Sequence, residues 1–384
     1  MTARIGSKHL IREINEALVL DQLRLNSPIA RSTIANRTGL SPATITGITA
    51  KLSQAGIISE ISLGASAGGR PPRLLAVNPS GGHAVGVRLG DDHLMVATVD
   101  LVGEVIMSES IPWKSGSPAE AVEVLADIVK RFDVTGSQLL GLGVAVSGSV
   151  DHRAGLVRYS GTLDWKDVPL REMLFDRLGI PVVIDRYVNA MAASLALFGK
   201  QHSDQDLIVI NVGPSLGVSL VQGGRIMRGA GGAAGGLAHT SVSMSSDRGR
   251  QCHCGATGCL ETVASEWGML REIKRLTGQR MTIAAAVRRS QTDLFVAGVL
   301  RRGAQALGRA VANLAKVLDP HQVVVGGDGT QMGESFAGPF ETTFHKSCRH
   351  GAGHDFDLAF VTFDEVSWAR GAGCQVLASL FSVE

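Results

Sequence analysis

No stretch of this 384-residue chain reaches the roughly 18 uninterrupted apolar residues that a membrane-spanning helix needs. Its first twenty residues, MTARIGSKHLIREINEALVL, scatter charges through the apolar positions and lack the apolar core of a secretory signal. Both absences point to a cytoplasmic protein without a membrane partner. Cysteine is scarce as well: outside the segment QCHCGATGCLE, residues 251–261, only Cys348 and Cys374 occur. In a reducing compartment a disulfide framework is excluded, so the three clustered thiols are expected to be metal ligands. What is present is a composition of 45% hydrophobic and 19% charged residues with 47 glycines, as in a soluble globular protein with many tight turns. The length favours two or three domains.

Net charge is only +2, but it is unevenly spread. Residues 1–80 carry nine Lys/Arg against four Asp/Glu, about +5, while the other 304 carry 28 against 31, about −3. A basic head on a slightly acidic body suggests a nucleic-acid-binding module attached to a sensing or catalytic one. Apolar residues from Leu10 to Leu25 fall near helical spacing. Ser27-Pro28 and Ser41-Pro42 each predict a helix start, with a capping hydroxyl followed by a first-turn proline. Thr38-Gly39-Leu40 predicts the turn between the two helices, a helix-turn-helix pattern. In the second helix Ile45, Ile48 and Leu52 are expected inside. Ser41, Ala43, Thr44, Thr46, Gly47 and Lys51 are then left outward, small and hydroxylated enough to enter a major groove. Arg37 adds charge at the turn. GIISEISLGASAGGRPPRLLAVNP reads as strand, loop and strand, a wing whose Gly69, Arg70 and Arg73 suit close approach to DNA. A bare dimerisation hairpin is the alternative reading of the head.

From residue 82 the pattern changes. HAVGVRLGDDHLMVATVDLVGEVI reads as three strands separated by glycine turns, and DLIVINVGPSLGVSLVQGGRIMRG repeats that rhythm about 120 residues later. LLGLGVAVSG and QVVVGGDG look like buried strands, with helical periodicity between them. The expected class is α/β: two related lobes facing a cleft, the actin-like (ribonuclease H-like) architecture of sugar kinases. Expected domains are 1–80 for the winged helix-turn-helix and 81–384 for the body. Lobe one would cover about 81–200 plus the C-terminal helix, and lobe two about 201–365.

Thiolates as dense as Cys252, Cys254 and Cys259 favour a tetrahedral zinc site with a fourth ligand from elsewhere. His253, inside the cluster, is one candidate. The segment His345, Cys348, His350, His354 matches no zinc spacing.

The winged head ending in GGRPPRLL, the CHCGATGCLE cluster and the duplicated lobes together resemble the ROK family of repressors, open reading frames and sugar kinases, over nearly the whole chain. An appended winged head resembles the family's transcriptional repressors. The resemblance implies His239, in AAGGLAHT, as the fourth ligand of a closed and therefore structural zinc site. It also implies a body without kinase activity. The family's phosphate cradle opens with Asp-x-Gly-Gly-Thr, whereas VRLGDD has Arg88 for the acid and Asp91-Asp92 for Gly-Thr. Pro214 removes a backbone donor from the second glycine turn. In PVVIDRYVN, Arg186 replaces a sugar-binding asparagine and Tyr187 the catalytic aspartate, and a tyrosine with pKa near 10 is a poor base at neutral pH. Asp185 would serve only in a register that loses Asn189. Gly236 replaces a hydroxyl-binding glutamate, while His239 and Glu261 remain.

The expected ligand-binding set is therefore Arg186, Tyr187, His239 and Glu261. Arg186 either meets an anion or pairs with an internal acid, and Glu261 is either a ligand contact or a helix-terminal carboxylate. The expectation is a repressor of carbohydrate-related genes, homodimeric or homotetrameric, binding double-stranded operator DNA and sensing a sugar or sugar-derived effector. An ATP-dependent sugar kinase and an effector-independent DNA-binding regulator are the alternatives.

Overall fold

The computed structural model describes residues 8–62, 73–90, 92–199, 205–242, 249–327, 332–349 and 355–381. It divides into two compact units, Met1–Arg186 with Ala369–Glu384, and Tyr187–Trp368.

The first unit begins with α1 (Lys8–Asn26), β1 (Ile29–Ala30), α2 (Arg31–Thr38), α3 (Pro42–Gln54), β2 (Ile58–Ser62) and β3 (Arg73–Val77), a winged helix-turn-helix. The strands form a small sheet in the order β1-β3-β2. Val19, Leu23, Ile34, Ile45, Leu52 and Leu75 fill its core. Ser41 caps α3 as expected, accepting the Thr44 N–H at 3.2 Å. Ser27-Pro28, by contrast, does not open a helix. The Ser27 N–H closes the end of α1 on Leu23 O at 3.0 Å. Ile29 and Ala30 then pair antiparallel with Leu75 and Leu74, so α2 starts only at Arg31, after an Ala30 with no side-chain cap. Sheet pairing outweighs the local capping preference there. The wing tip, with Gly69 and Arg70, lies outside the described residues.

The rest of this unit is α/β. It contains β4 (His83–Leu89), β5 (His93–Asp100), β6 (Val105–Pro112), α4 (Pro118–Phe132), β7 (Leu139–Val146), β8 (Ser149–Asp151), β9 (Leu156–Ser160), β10 (Trp165–Val168), α5 (Leu170–Leu178) and β11 (Val182–Arg186). β4, β5 and β6 form an antiparallel meander, and β7 and β11 add parallel strands beyond β4, giving the order β11-β7-β4-β5-β6. α4 starts at a capping box between Ser117 and Glu120 and buries Val122, Leu125, Val129 and Phe132 at helical spacing.

The second unit contains α6 (Tyr187–Phe198), β12 (Leu207–Asn211), β13 (Gly217–Gln222), β14 (Arg225–Ile226), α7 (Glu261–Ala264), α8 (Glu266–Thr277), α9 (Ile283–Ser290), α10 (Leu294–Leu318), β15 (Gln322–Gly326), α11 (Glu334–Cys348) and β16 (Asp357–Phe360). Its sheet has the order β14-β13-β12-β15-β16, again an antiparallel meander extended by two parallel strands. The strand order and directions repeat those of the first unit, so the duplicated rhythm of the sequence is a duplication of topology. Phe336, Phe340 and Phe344 of α11 pack with Leu300, Leu307 and Val311 of α10 over this sheet.

Helix α12 (Glu365–Phe381) ends the described chain, and from Ala369 onward it belongs to the first unit. It lies so close to β4 and β7 that a Cβ on Gly86 would overlap the Ala369 carbonyl, and one on Gly143 the Ala372 carbonyl. Backbone cannot move aside as a flexible side chain can. Gly143→Ala is therefore expected to destabilise the protein by about 1–3 kcal/mol through overpacking. Urea denaturation followed by circular dichroism measures it, and an unchanged midpoint would contradict the close packing.

Candidate functional site

The head presents one helix face free of acid. α3, PATITGITAKLSQ, contains no Asp or Glu. Ile45 and Leu52 are buried and Ile48 is half-buried, while Ser41, Ala43, Thr46, Gly47 and Lys51 are exposed and Thr44 is half-buried. The outward set read from the sequence is thus the outward face. Four of its members are engaged: Ser41 and Thr44 with each other through their hydroxyls at 2.8 Å, the Thr46 hydroxyl with Pro42 O at 2.8 Å, and Lys51 Nζ with Glu16 of α1 at 2.6 Å. Arg37 stands exposed at the end of α2. Gly39 closes that helix with φ +70°, a conformation glycine adopts without penalty.

Sequence reasoning missed the brace beneath this face. Glu60 of β2 pairs with Arg31 at 2.6 Å and with Arg73 at 2.8 Å, and the two guanidinium groups hold its carboxyl below the usual range. Arg31 also donates to the buried Thr49 hydroxyl at 3.1 Å. Helix α2, recognition helix α3 and the wing base are thereby joined through one arginine. Arg73 points into this brace, so its charge is already partnered.

In the second unit the ligand atoms of His239, Cys252, Cys254 and Cys259 all lie within 4.8 Å of one another. His239 ends a 3-10 turn, Gly236–His239. The cysteines sit on a loop held by its own backbone, with Cys252 N donating to Ala256 O at 2.8 Å and Leu260 N to Thr240 O at 2.9 Å. Gly255 (φ +90°) and Gly258 (φ +77°) let the loop curl this tightly. His253 stays outside the set. Its ring meets Trp267 edge-on at 5.2 Å and His239 at 5.6 Å, and Arg271 lies over Trp267 at 5.4 Å.

Burial pushes the Cys259 thiol up to about 12 and raises Cys252, the Ala256 amide lowers Cys254, and burial lowers His239. Buried thiols that resist ionisation beside a neutral imidazole are what a bound cation would relieve. Three sulfurs and one nitrogen this close suit a tetrahedral ion, so the cluster can hold a metal.

Several positions that the resemblance implies for kinase chemistry have partners within the protein. Arg88 Nη1 lies 3.2 Å from His93 Nε2, and His93 pairs with Asp92 at 2.5 Å. Asp91 is outside the described residues. Asp185 is buried and accepts from Gln375 Nε2 at 2.9 Å and from Arg186 N at 2.8 Å, with His152 Nδ1 at 3.4 Å. Those partners mark it as a structural carboxylate. Arg186 closes β11 in the first unit, and Tyr187 opens α6 in the second with its ring 6.2 Å from Trp368. Both are half-buried.

Glu261 is fully buried, and its Oε2 accepts the Leu216 N–H at 2.9 Å. Burial raises its pKa, against the lowering effect of that amide. Of the four expected ligand-binding residues, His239 lies in the Cys/His cluster and Glu261 is buried with its carboxylate on the Leu216 N–H.

The sequence profile of the ROK family matches residues 84–367. The chain is 32% identical over 351 residues to a xylose repressor of Caldicellulosiruptor bescii, covering 86% of this chain and 87% of that one. Among solved structures it is similar to a ROK family transcriptional regulator, a homologue of the E. coli MLC protein. That match has a TM-score of 0.83 and 24% identity, over 97% of this chain and 98% of the other. A ROK family glucokinase from Streptomyces griseus, in complex with glucose and AMPPNP, matches at a TM-score of 0.64 and 24% identity, over 76% of this chain and 98% of its own. The regulator's match covers nearly the whole chain and the kinase's about three quarters, so the body is the actin-like sugar-kinase fold.

Ser41 carries both a capping bond and an outward position. Ser41→Ala is expected to cost about 1 kcal/mol, while Ser41→Asp, which keeps an acceptor for the Thr44 N–H, should leave stability nearly unchanged. Parallel urea titrations check this, and equal stability of the Ala variant would contradict the cap.

Proposed function

The chain belongs to the ROK family, and from that premise we propose that it is a DNA-binding transcriptional repressor of sugar-related genes. Residues 1–80 form the operator-binding head, and 81–384 form a body that senses and oligomerises. The observation that carries this reading is the acid-free α3 of a winged helix-turn-helix head, in a chain whose kinase-like body has Arg186 and Tyr187 where the resemblance implies sugar-binding and catalytic residues. Similarity to a protein named as a xylose repressor supports it.

In this reading α3 enters the major groove with Ser41, Ala43, Thr44, Thr46, Gly47 and Lys51. Arg37, Gly69 and Arg70 meet phosphates or the minor groove, and Arg73, also expected there, would have to leave Glu60 to do so. The partner is double-stranded operator DNA, the assembly a homodimer or homotetramer, and the compartment the cytoplasm. Among the described residues no helix is long and apolar enough to cross a membrane.

The metal is zinc, held by His239, Cys252, Cys254 and Cys259. Four protein ligands leave no open position, so its role is structural. The body is not an enzyme. Tyr187 stands where the family has its catalytic aspartate. In the second glycine turn Pro214 has no N–H to offer, and the Leu216 N–H is already given to the Glu261 carboxylate. A turn with two fewer backbone donors, one of them given to an acidic side chain, is a poor cradle for phosphate. The effector is a monosaccharide or its phosphate, and Arg186, in the family's sugar-binding position, favours the charged form through charge-assisted hydrogen bonds.

The test is fluorescence anisotropy with duplexes from the region upstream of the gene, at fixed salt. Binding in the range of about 10⁻⁸–10⁻¹¹ M is expected, weakened by Ser41→Asp and released by xylose, another monosaccharide or a sugar phosphate. Only micromolar, sequence-independent binding would refute the repressor reading, and phosphate transfer from ATP to any hexose would refute the non-enzymatic one.

A further inference from the structure

The metal loop runs straight into the residues that hold the turn between β12 and β13. Cys259 is followed by Leu260 and Glu261, and the Thr262 N–H and hydroxyl both donate back to Cys259 O, at 3.0 and 2.8 Å. The position of Glu261 is therefore set by a metal-ligating residue two positions earlier. Its side chain then reaches out of the loop: fully buried, it takes the Leu216 N–H on Oε2, while Oε1 is buried without a hydrogen-bond partner.

The next residues complete the grip on the turn. Ser265 Oγ donates to Glu261 O at 2.7 Å and accepts from Gly268 N at 3.0 Å, which fixes the start of α8 against α7. Glu266 N donates to Gly213 O at 3.0 Å and Trp267 N to Pro214 O at 3.4 Å. A Cβ on Gly268 would overlap the Glu261 and Thr262 backbone, so α8 is seated directly on this segment. Of these links, only that from Glu261 comes from a side chain whose backbone is fixed by the metal loop itself.

We propose that Glu261 is a positioning residue that couples the metal cluster to the Gly213–Gly217 turn, so that the conformation of this turn in the sensing body depends on the bound metal. The proposal rests on the reading of His239, Cys252, Cys254 and Cys259 as an occupied metal site. Without the cation, Cys259 is no longer tied to the other two thiols and the imidazole, and the carboxylate that secures the Leu216 amide loses its fixed origin. With the cation and without the carboxylate, the loop stays intact and the turn loses one of its three ties, the one at Leu216. The two perturbations are expected to act on one element, and so not to add.

Hydrogen exchange read by mass spectrometry on the full chain tests this, with bound metal quantified in the same samples and strand Gln322–Gly326 as internal control. Glu261→Ala should keep its metal and exchange the amides of the turn about tenfold faster, as expected when one hydrogen bond of ordinary net strength is removed. Glu261→Gln, whose amide oxygen still accepts the Leu216 N–H, should stay close to wild type. Chelating the wild type should speed exchange in the turn and not in the control strand, and chelating Glu261→Ala should add nothing further there. Unchanged turn exchange in metal-bound Glu261→Ala would overturn the proposal, as would a protected turn in the chelated wild type. If Glu261→Ala fails to fold, the chelated wild type alone decides. Wild-type protein purified without metal would instead overturn the underlying metal reading, a result distinct from either.

Discussion

The second unit depends on one local constraint: three thiols and one imidazole must converge to within 4.8 Å on a segment with almost no regular structure. A loop of this kind lacks the apolar surface to hold itself by burial, since its glycines and exposed polar residues offer little. Its inward residues are the ligands and their neighbours, Cys252, Cys259 and Leu260. Once Cys259 is placed, Glu261, Ser265 and the start of α8 follow within seven residues. The β12–β13 turn is tied to that segment by three hydrogen bonds. In the proposed reading, a small coordination site thereby organises the exposed part of this loop, while Ala238, Leu260 and Ala264 anchor its ends in the core.

The duplicated units solve the larger problem differently. Each buries a five-stranded sheet with the same order and directions, and each allows helix backbone to approach where side chains are absent. In such a scaffold the glycine turns after the first strand are the natural places for a ligand to meet backbone donors. Here those turns are altered by charge at Arg88 and Asp92 and by Pro214, and the second by the claim of Glu261 on Leu216. The fold persists because its core does not involve these residues. In the proposed reading, stability and phosphate chemistry reside in different parts of the chain, so the second can be lost without the first.

Much of this was legible in the sequence because it rests on local patterns. Ile45, Ile48 and Leu52 repeat at helical spacing, Ser41-Pro42 is a local capping signal, and the strand–turn–strand rhythm recurs after about 120 residues. What escaped is long-range. Ser27-Pro28 carries the same local signal as Ser41-Pro42, yet pairing of Ile29 with Leu75 overrides it, and nothing near residue 29 announces a partner 46 positions away. The Arg31–Glu60–Arg73 brace is hidden for the same reason. The sequence leaves Glu261 open between a ligand contact and a helix-terminal carboxylate; in the fold it opens α7, with its side chain buried and bonded to the Leu216 N–H. By position in the sequence, His253 inside the cluster competes as a nitrogen donor. Family resemblance pointed to His239, and the geometry places that ring among the sulfurs and leaves His253 against Trp267.

The claim that a closed metal site organises a sensing body is tested most directly by X-ray absorption at the metal edge of the protein as purified. The account predicts zinc with three sulfur scatterers at about 2.3 Å and one nitrogen at about 2.0–2.1 Å, unchanged when an effector sugar is added. A shell containing water or carboxylate oxygen, or fewer than three sulfurs, would mean an open site and would contradict it.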